Sequence, residues 1–167
     1  LALLAITVKN LLVPARWGRH DATPFWSLRH FTYFLAQDCF FKWAGPMLLN
    51  LGGTTLANPL LRAFGCRIGR GTILQEPLQA FDWHAVHIGD NCVVEGQLQL
   101  HSFEHRLLSV RETHIASGST VNVGATLMGG VTLAGGTTVS AQGLVMKGMH
   151  LQTGSHGGSP VSPESNS

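Results

Sequence analysis

Residues 115–150 read IASGST, VNVGAT, LMGGVT, LAGGTT, VSAQGL and VMKGMH, six consecutive hexads that each open with an aliphatic residue. Self-similarity at a fixed short period is the signature of a stacked repeat fold. Noisier hexads precede this run and open at Ile68, Leu74, Ile88, Val94 and Leu100. Three hexads complete one triangular coil of short strands, so the pattern predicts about four coils, each pairing with the next through its backbone.

The hexads predict an all-β fold, a left-handed parallel β-helix that follows an N-terminal helical, membrane-proximal segment. An antiparallel sandwich fits less well, because its turns recur every 8 to 12 residues, whereas here they recur every six. A disordered glycine-rich linker does not fit the unbroken aliphatic period. We expect Gly69, Gly89, Gly129 and Gly135 to supply the backbone freedom that the corners need.

The chain divides into four regions. Residues 1–13 are the end of a transmembrane span or a buried helix, and residues 14–65 form a mostly helical, membrane-proximal segment. Residues 66–155 form the β-helix, with an inserted loop at 101–114, and residues 156–167, rich in Gly, Ser and Pro, are expected to be disordered. The start at Leu1 rather than Met leaves room for an upstream span.

Charge and aromatic content separate the two halves of the chain. Residues 1–70 hold eight of the 11 Lys and Arg but two of the nine acids, and most of the aromatic residues. Basic residues beside aromatic clusters favour a membrane interface over a nucleic-acid groove, so we expect membrane association and no nucleic-acid partner. Three cysteines without CxxC spacing predict no disulfide framework and fit the cytoplasmic face of a membrane.

The inserted loop holds the densest set of proton-transfer groups in the chain. A further hexad is due at position 106, but the next regular one opens at Ile115. Insertions in repeat folds are loops on one face, often the binding face. His101 is our first candidate for a general base, with Glu104, His105 and Arg106 as orienting or substrate-binding residues. The alternative is a solvated loop whose charges pair incidentally.

A second polar cluster lies one coil earlier. Asp82 and His84 precede His101 by about one turn of the coil, so both are expected at the same cleft, unless they are merely polar corner residues. Neutral imidazoles bind metals, but the spacing of His84, His87, His101 and His105 follows no ligand motif. We assign no metal ligand, and a metal site at these histidines stays the less favoured alternative, to be dropped if metal analysis of the purified protein finds no stoichiometric ion.

Five stretches carry a family resemblance: PFWSLRHF at 24–31, GGTTLANPLLRAFGCRIGRGT at 52–72, HAVHIGDNCVVEG at 84–96, LQLHSFEHR at 98–106 and LVMKGMHLQTGSHGGSPV at 144–161. With them, the chain resembles the C-terminal membrane-associated, acyltransferase-like region of nonribosomal-peptide-synthetase-like enzymes of the ε-poly-lysine synthetase type. It is also similar to hexapeptide acetyltransferases of the galactoside and maltose type, in which a catalytic histidine stands just before such an insertion. That likeness makes His101 the base that deprotonates an acceptor, with backbone N–H groups meeting the oxyanion.

The resemblance implies acyl or aminoacyl transfer from a thioester to an amine or hydroxyl acceptor. The donor would be a phosphopantetheine carrier domain or coenzyme A, with no tightly bound cofactor, and relatives suggest a homotrimer. No phosphopantetheine-attachment or adenylation motif occurs in these residues. The alternatives are a free-standing hexapeptide-type acetyltransferase and a non-catalytic scaffold or oligomerisation module.

Overall fold

The N-terminal part of the chain is helical. The computed structural model describes residues 1–13, 22–75 and 82–164. The elements up to residue 63 are α1 (Ala2–Leu12), β1 (Ala22–Pro24), α2 (Leu28–Cys39), a π-helical turn (Phe40–Ala44), α3 (Gly45–Leu51) and α4 (Ala57–Ala63). Helix α2 begins after Ser27, whose side chain accepts a hydrogen bond from the His30 N–H at 3.2 Å and so satisfies a donor that the helix leaves open. None of the helices in these described ranges is long and apolar enough to cross a membrane.

Short strands fill the rest of the chain. They are β2 (Arg67–Ile68), β3 (Ile73–Leu74), β4 (Val86–Ile88), β5 (Val93–Val94), β6 (Gln97–Gln99), β7 (His101–Glu104), β8 (Leu107–Val110), β9 (Thr113–Ile115), β10 (Thr120–Val121), β11 (Thr126–Met128), β12 (Thr132–Leu133), β13 (Thr137–Val139), β14 (Leu144–Val145), β15 (His150–Leu151), β16 (Gly154–Gly158) and β17 (Val161–Pro163). A 3-10 turn at Trp83–Ala85 precedes β4.

The strands stack in three parallel ladders, which makes this part of the chain a parallel β-helix. One ladder runs β2-β4-β9-β12-β15, the second runs β3-β5-β10-β13-β16, and the third runs β6-β11-β14. The period-six prediction is confirmed, because the residues that open the regular hexads are all at most 2% exposed: Ile115, Val121, Leu127, Leu133, Val139 and Val145. Each such burial stabilises the fold by about 1.5–3 kcal/mol. With its N-terminal helices, the whole chain is mixed α/β rather than all-β.

Two expectations about irregular segments differ from the structure. The inserted loop is an antiparallel hairpin of β7 and β8, to which β1 adds as a third strand, because its alternating sequence pairs with itself. The expected disordered tail is ordered through residue 164: β16 continues the second ladder beside β13, and β17 folds back on it. Backbone pairing with the last coil supplies the order that composition did not predict. Residues 165–167, and residues 14–21 of the predicted membrane-proximal segment, lie outside the described ranges.

Three of the four corner glycines, Gly69, Gly89 and Gly129, are required for a reason other than the expected one. The φ angles of Gly69, Gly89, Gly129 and Gly135 are not in the left-handed region. A Cβ on Gly89 would instead lie 2.5 Å from the backbone nitrogen of Ser117 in the next coil. Close stacking of coils, not backbone freedom, excludes a side chain there.

Gly89→Ala is therefore expected to destabilise the protein by about 1–3 kcal/mol, since the added methyl group must displace the backbone of the next coil. Gly135→Ala is a matched control, because a Cβ at Gly135 meets its nearest atom, the Ser117 carbonyl oxygen, at 3.4 Å. Urea unfolding of both variants measures the difference. Equal stability of the two variants would contradict the close-stacking explanation.

Candidate active site

A histidine–aspartate pair lies where the hairpin leaves the coils. Asp82 directly precedes the 3-10 turn, and His101 is the first residue of β7. The Nδ1 of His101 is 2.7 Å from Oδ2 of Asp82. The Asp82 side chain is 1% exposed and the His101 side chain is 26% exposed. The contact that the one-coil spacing predicts between these two residues is present.

A third residue, Tyr33 on α2 of the helical segment, contacts both members of the pair. Its hydroxyl donates to Oδ1 of Asp82 at 2.8 Å and lies 3.3 Å from Nδ1 of His101. The side chain is fully buried on α2. Sequence reasoning missed this residue; it is the only tyrosine of the chain, but no motif connects it to a position 68 residues later.

The charges and hydrogen bonds around His101, Asp82 and Tyr33 indicate which of their atoms carry a proton. The hydrogen bond to Asp82 and the charge of that carboxylate raise the pKa of His101, although burial opposes the change. Burial and the same carboxylate raise the pKa of Tyr33, which stays protonated and donates. With Nδ1–H donating to Asp82, the lone pair of the neutral imidazole is on Nε2. Nε2 has no hydrogen-bond partner among the described residues, so it is available to a substrate proton.

A buried lysine lies behind this pair. Lys9 on α1 is 1% exposed, and its Nζ donates to the Phe64 carbonyl oxygen at 2.6 Å. Burial lowers the pKa of Lys9 to about 8, while the negative charge of Asp82 raises it. The charge of Asp82 acts on the pKa of Lys9, so the two groups lie within electrostatic reach of each other. Lys9 also ties α1 to the end of α4.

Glu104 is on the same hairpin but has a different partner. It forms an ion pair of 2.5 Å with Lys147, whose Nζ also donates to Ser102 at 2.8 Å. The pair lowers the pKa of the Glu104 carboxyl group. Lys147 lies in the loop after β14, so the pair holds β7 against the third ladder. Sequence reasoning did not single out Lys147, because it falls within a regular hexad and not in the insertion.

His105 and Arg106 form the tip of the hairpin. Both are exposed and both have positive φ, 51° and 63°. Two residues of this kind are what a type I′ turn between paired strands requires. The Arg106 carbonyl oxygen accepts a hydrogen bond from the Phe25 N–H at 3.1 Å, which attaches the tip to the segment after β1. The structure therefore gives these two candidates a turn function, four and five residues after His101.

His84 lies behind the site rather than on its open side. Its side chain is 6% exposed and sits within the 3-10 turn. A Cβ built on Gly65 would lie 3.2 Å from the Cβ of His84 and 3.3 Å from Nζ of Lys9, so His84 and Lys9 flank the same glycine. This position suits packing against the N-terminal helices better than substrate contact.

Aromatic rings cover one side of His101. Phe103 lies 5.4 Å from His101 between ring centroids, 5.4 Å from Phe25 and 6.3 Å from Phe34. Phe103 and Phe34 remain 48% and 41% exposed. The imidazole therefore has an apolar, partly solvent-exposed neighbour on one side, which suits a substrate with an apolar portion next to its reacting group.

The four histidines considered as metal ligands are not one group in the structure. Within the described ranges, the residues close enough to share an ion are His87, Glu112 and His114. That group lies on the first ladder, while His101 has Asp82 and Tyr33 as its polar partners.

Comparison with known proteins shows the fold. No protein-family model and no curated protein sequence matches the chain. A hexapeptide-repeat-containing acetyltransferase of Vibrio cholerae is similar over 75% of this chain and 89% of its own, with a TM-score of 0.57 and 14% identity. Serine acetyltransferase of Neisseria gonorrhoeae is similar over 99% of this chain and 67% of its own, with a TM-score of 0.50 and 14% identity. The chain thus has the hexapeptide-repeat β-helix fold.

Proposed function

We propose that the protein is a hexapeptide-repeat acyltransferase, which transfers an acyl group from a coenzyme A thioester to an amine or hydroxyl acceptor with His101 as the general base. The observation that carries the proposal is the 2.7 Å contact between Nδ1 of His101 and the buried Asp82, which leaves Nε2 of this partly exposed side chain without a hydrogen-bond partner among the described residues. The similarity to two solved acetyltransferases supports the same class of reaction.

The chemistry follows from the proton positions. Nε2 of His101 takes the proton of the acceptor O–H or N–H as the oxygen or nitrogen attacks the thioester carbonyl carbon. The tetrahedral intermediate then collapses, the C–S bond breaks, and the departing thiolate takes the proton back from the imidazolium. Asp82 stabilises the imidazolium while it exists and fixes the orientation of the ring, and Tyr33 in turn orients Asp82.

A carrier-bound aminoacyl thioester is the second candidate donor. The resemblance to nonribosomal-peptide-synthetase-like enzymes favours it, and both donors present the same pantetheine thioester. The test offers the purified protein acetyl-coenzyme A and aminoacyl-pantetheine thioesters with amine and hydroxyl acceptors, and reads products by mass spectrometry. Product that forms with acetyl-coenzyme A but not with the aminoacyl-pantetheine thioesters supports coenzyme A as the donor. Product that forms only with the aminoacyl-pantetheine thioesters supports the carrier-bound donor. No product with any donor, from folded protein, would overturn the enzymatic proposal in favour of a scaffold.

We propose left-handed winding of the coils and assembly into a homotrimer on the basis of the hexad period and the family resemblance. Three faces with a six-residue strand-and-corner unit accommodate that winding. Sedimentation equilibrium tests the assembly: a mass of three chains supports it, and a detergent-free monomer contradicts it.

We also propose that the helical segment lies on the cytoplasmic face of a membrane. Large apolar side chains are exposed there, including Trp26 at 95%, Leu28 at 78% and Phe31 at 63%. Patches of this kind in soluble monomers are uncommon and mark interaction surfaces.

Cosedimentation of the protein with vesicles of anionic phospholipid tests the membrane proposal. Trp26→Ser is expected to lower cosedimentation by about threefold or more, since an aromatic anchor at the headgroup level is lost. Val123→Ser, on an exposed corner of the β-helix, changes an apolar residue that is 63% exposed and serves as the control. Cosedimentation that is equal in the wild type and in Trp26→Ser, or absent altogether, would contradict the membrane proposal.

A further inference from the structure

Two histidines and a glutamate meet on the outer face of the first ladder. His87 on β4 and His114 on β9 are direct register partners in neighbouring coils, and their ring centroids are 4.4 Å apart at an interplanar angle of 79°. Glu112 precedes β9, and its Oε2 lies 3.7 Å from Nε2 of His114. One donor atom from each of the three residues lies within 4.8 Å of the other two.

We propose that His87, Glu112 and His114 bind one divalent transition-metal ion, with Zn²⁺ as the preferred ion. Two imidazoles and one carboxylate are a ligand set that zinc accepts in proteins, and three protein ligands leave a fourth position open. Bonds of about 2.0–2.2 Å place the ligands of a tetrahedral ion about 3.3–3.6 Å apart. The donor atoms lie within 4.8 Å of one another, and those of His114 and Glu112 are 3.7 Å apart, so the side chains need to approach by only a fraction of that distance.

The surroundings suit a bound ion with an exchangeable fourth ligand. All three residues are half-buried, and the side chains of His114 and Glu112 are 46% and 27% exposed. A cavity of about 350 Å³, lined by His87, His114 and Thr132 among others, opens beside them. Arg67 lines the same cavity from the preceding coil. Its positive charge opposes a bare cation and favours an anion, such as hydroxide or a substrate carboxylate, as the fourth ligand.

A bound ion would connect the segment after the hairpin to the preceding coil. Glu112 lies in the segment that returns from β8 to β9, whereas His87 belongs to the coil before. A metal that joins them ties the base of the hairpin to the β-helix. The site does not rest on the proposed acyl transfer, because His101 and Asp82 are not ligands and lie in a different set of contacts.

The test is a calorimetric titration of the full chain, stripped with a chelator, with ZnCl₂. We expect one ion per chain, and an increase in Kd of about tenfold or more in both His114→Ala and Glu112→Gln. His150→Ala is the matched control, because His150 is exposed on the same ladder two strands beyond β9. Its Kd should stay within about twofold of the wild-type value.

Substitution with Co²⁺ supplies a second readout, since a tetrahedral site with histidine ligands gives a visible absorption band. Circular dichroism of the metal-free variants checks that they fold, and Glu112→Gln is the conservative variant if His114→Ala does not. No binding to the wild type would overturn the proposal. Equal affinity in wild type and Glu112→Gln would overturn it as well, because binding would then be adventitious and due to histidines elsewhere.

Discussion

His101→Ala is expected to lower kcat of acyl transfer by about 10²–10⁴-fold, the range for loss of a positioned general base. The side chain is the imidazole that the buried Asp82 orients, with Nε2 accessible. The KM for the thioester should change little, because the proton transfer occurs in the transition state and not in donor binding. Steady-state release of free thiol, followed with wild type and variant, measures both constants.

His105→Ala is the matched control. His105 is an imidazole on the same hairpin, but it is at the exposed turn. Its replacement should leave kcat within about threefold of wild type, as expected for a surface position without a reacting group. If His105→Ala lost as much activity as His101→Ala, the hairpin as a whole, rather than the base at its root, would be the required element.

Asp82→Asn is expected to lower kcat by about 10²-fold or more, because the imidazole loses the carboxylate that fixes its tautomer and stabilises its charged form. The same substitution should shift the pH dependence. Asp82 raises the pKa of His101, so in the wild type the active, neutral base is lost as pH falls through a value above 6.5. Without the carboxylate that pKa falls, and the acid limb of kcat moves to lower pH.

The measurement is a pH–rate profile of the wild type and of Asp82→Asn. Asp38→Asn makes the same change from carboxylate to amide at an exposed position on α2, where Asp38 pairs with Lys42, and it should leave the profile unchanged. An acid limb at the same pH in wild type and Asp82→Asn would show that another group controls the ionisation, and would remove Asp82 from the mechanism.

Two features could be predicted from the sequence: the buried aliphatic residues of the repeat, and the residues that lie next to each other in neighbouring coils. The aliphatic hexads place one side chain per face in the core, and this local rule predicted the buried residues from Ile115 to Val145. Because a coil is a fixed number of residues, Asp82 and His84 were weighed as neighbours of His101 against a role as polar corner residues, and of the two Asp82 contacts His101. Both predictions need only a period, which a single sequence displays.

Contacts between the helical segment and the β-helix were not predictable in the same way. Tyr33 and Lys9 come to the site from helices whose sequences show weak periodicity, and their partners lie 49 and 55 residues away. Lys147 likewise meets Glu104 only because the hairpin lies over the third ladder. Such pairs follow from how helices and hairpin pack on the coils, which no local pattern encodes.

Some residues were given a chemical role when geometry gives them a structural one. His105 and Arg106 have reactive or charged side chains, but a hairpin with a two-residue turn needs positive φ at these positions. The insertion was interpreted as a loop because nine residues were added to the repeat. Buried and partly exposed residues alternate along part of it, with Leu108 and Val110 buried, and this alternation is typical of a β-strand.

Acyl transfer with His101 as the base is tested most directly by a time course of transfer from acetyl-coenzyme A to a panel of amine and hydroxyl acceptors, with wild type and His101→Ala compared by mass spectrometry of the products. With the wild type we expect an acylated acceptor and one equivalent of free coenzyme A, and with the variant a rate at least about 10²-fold lower. Acylated product that forms equally fast in both proteins would contradict this role of His101.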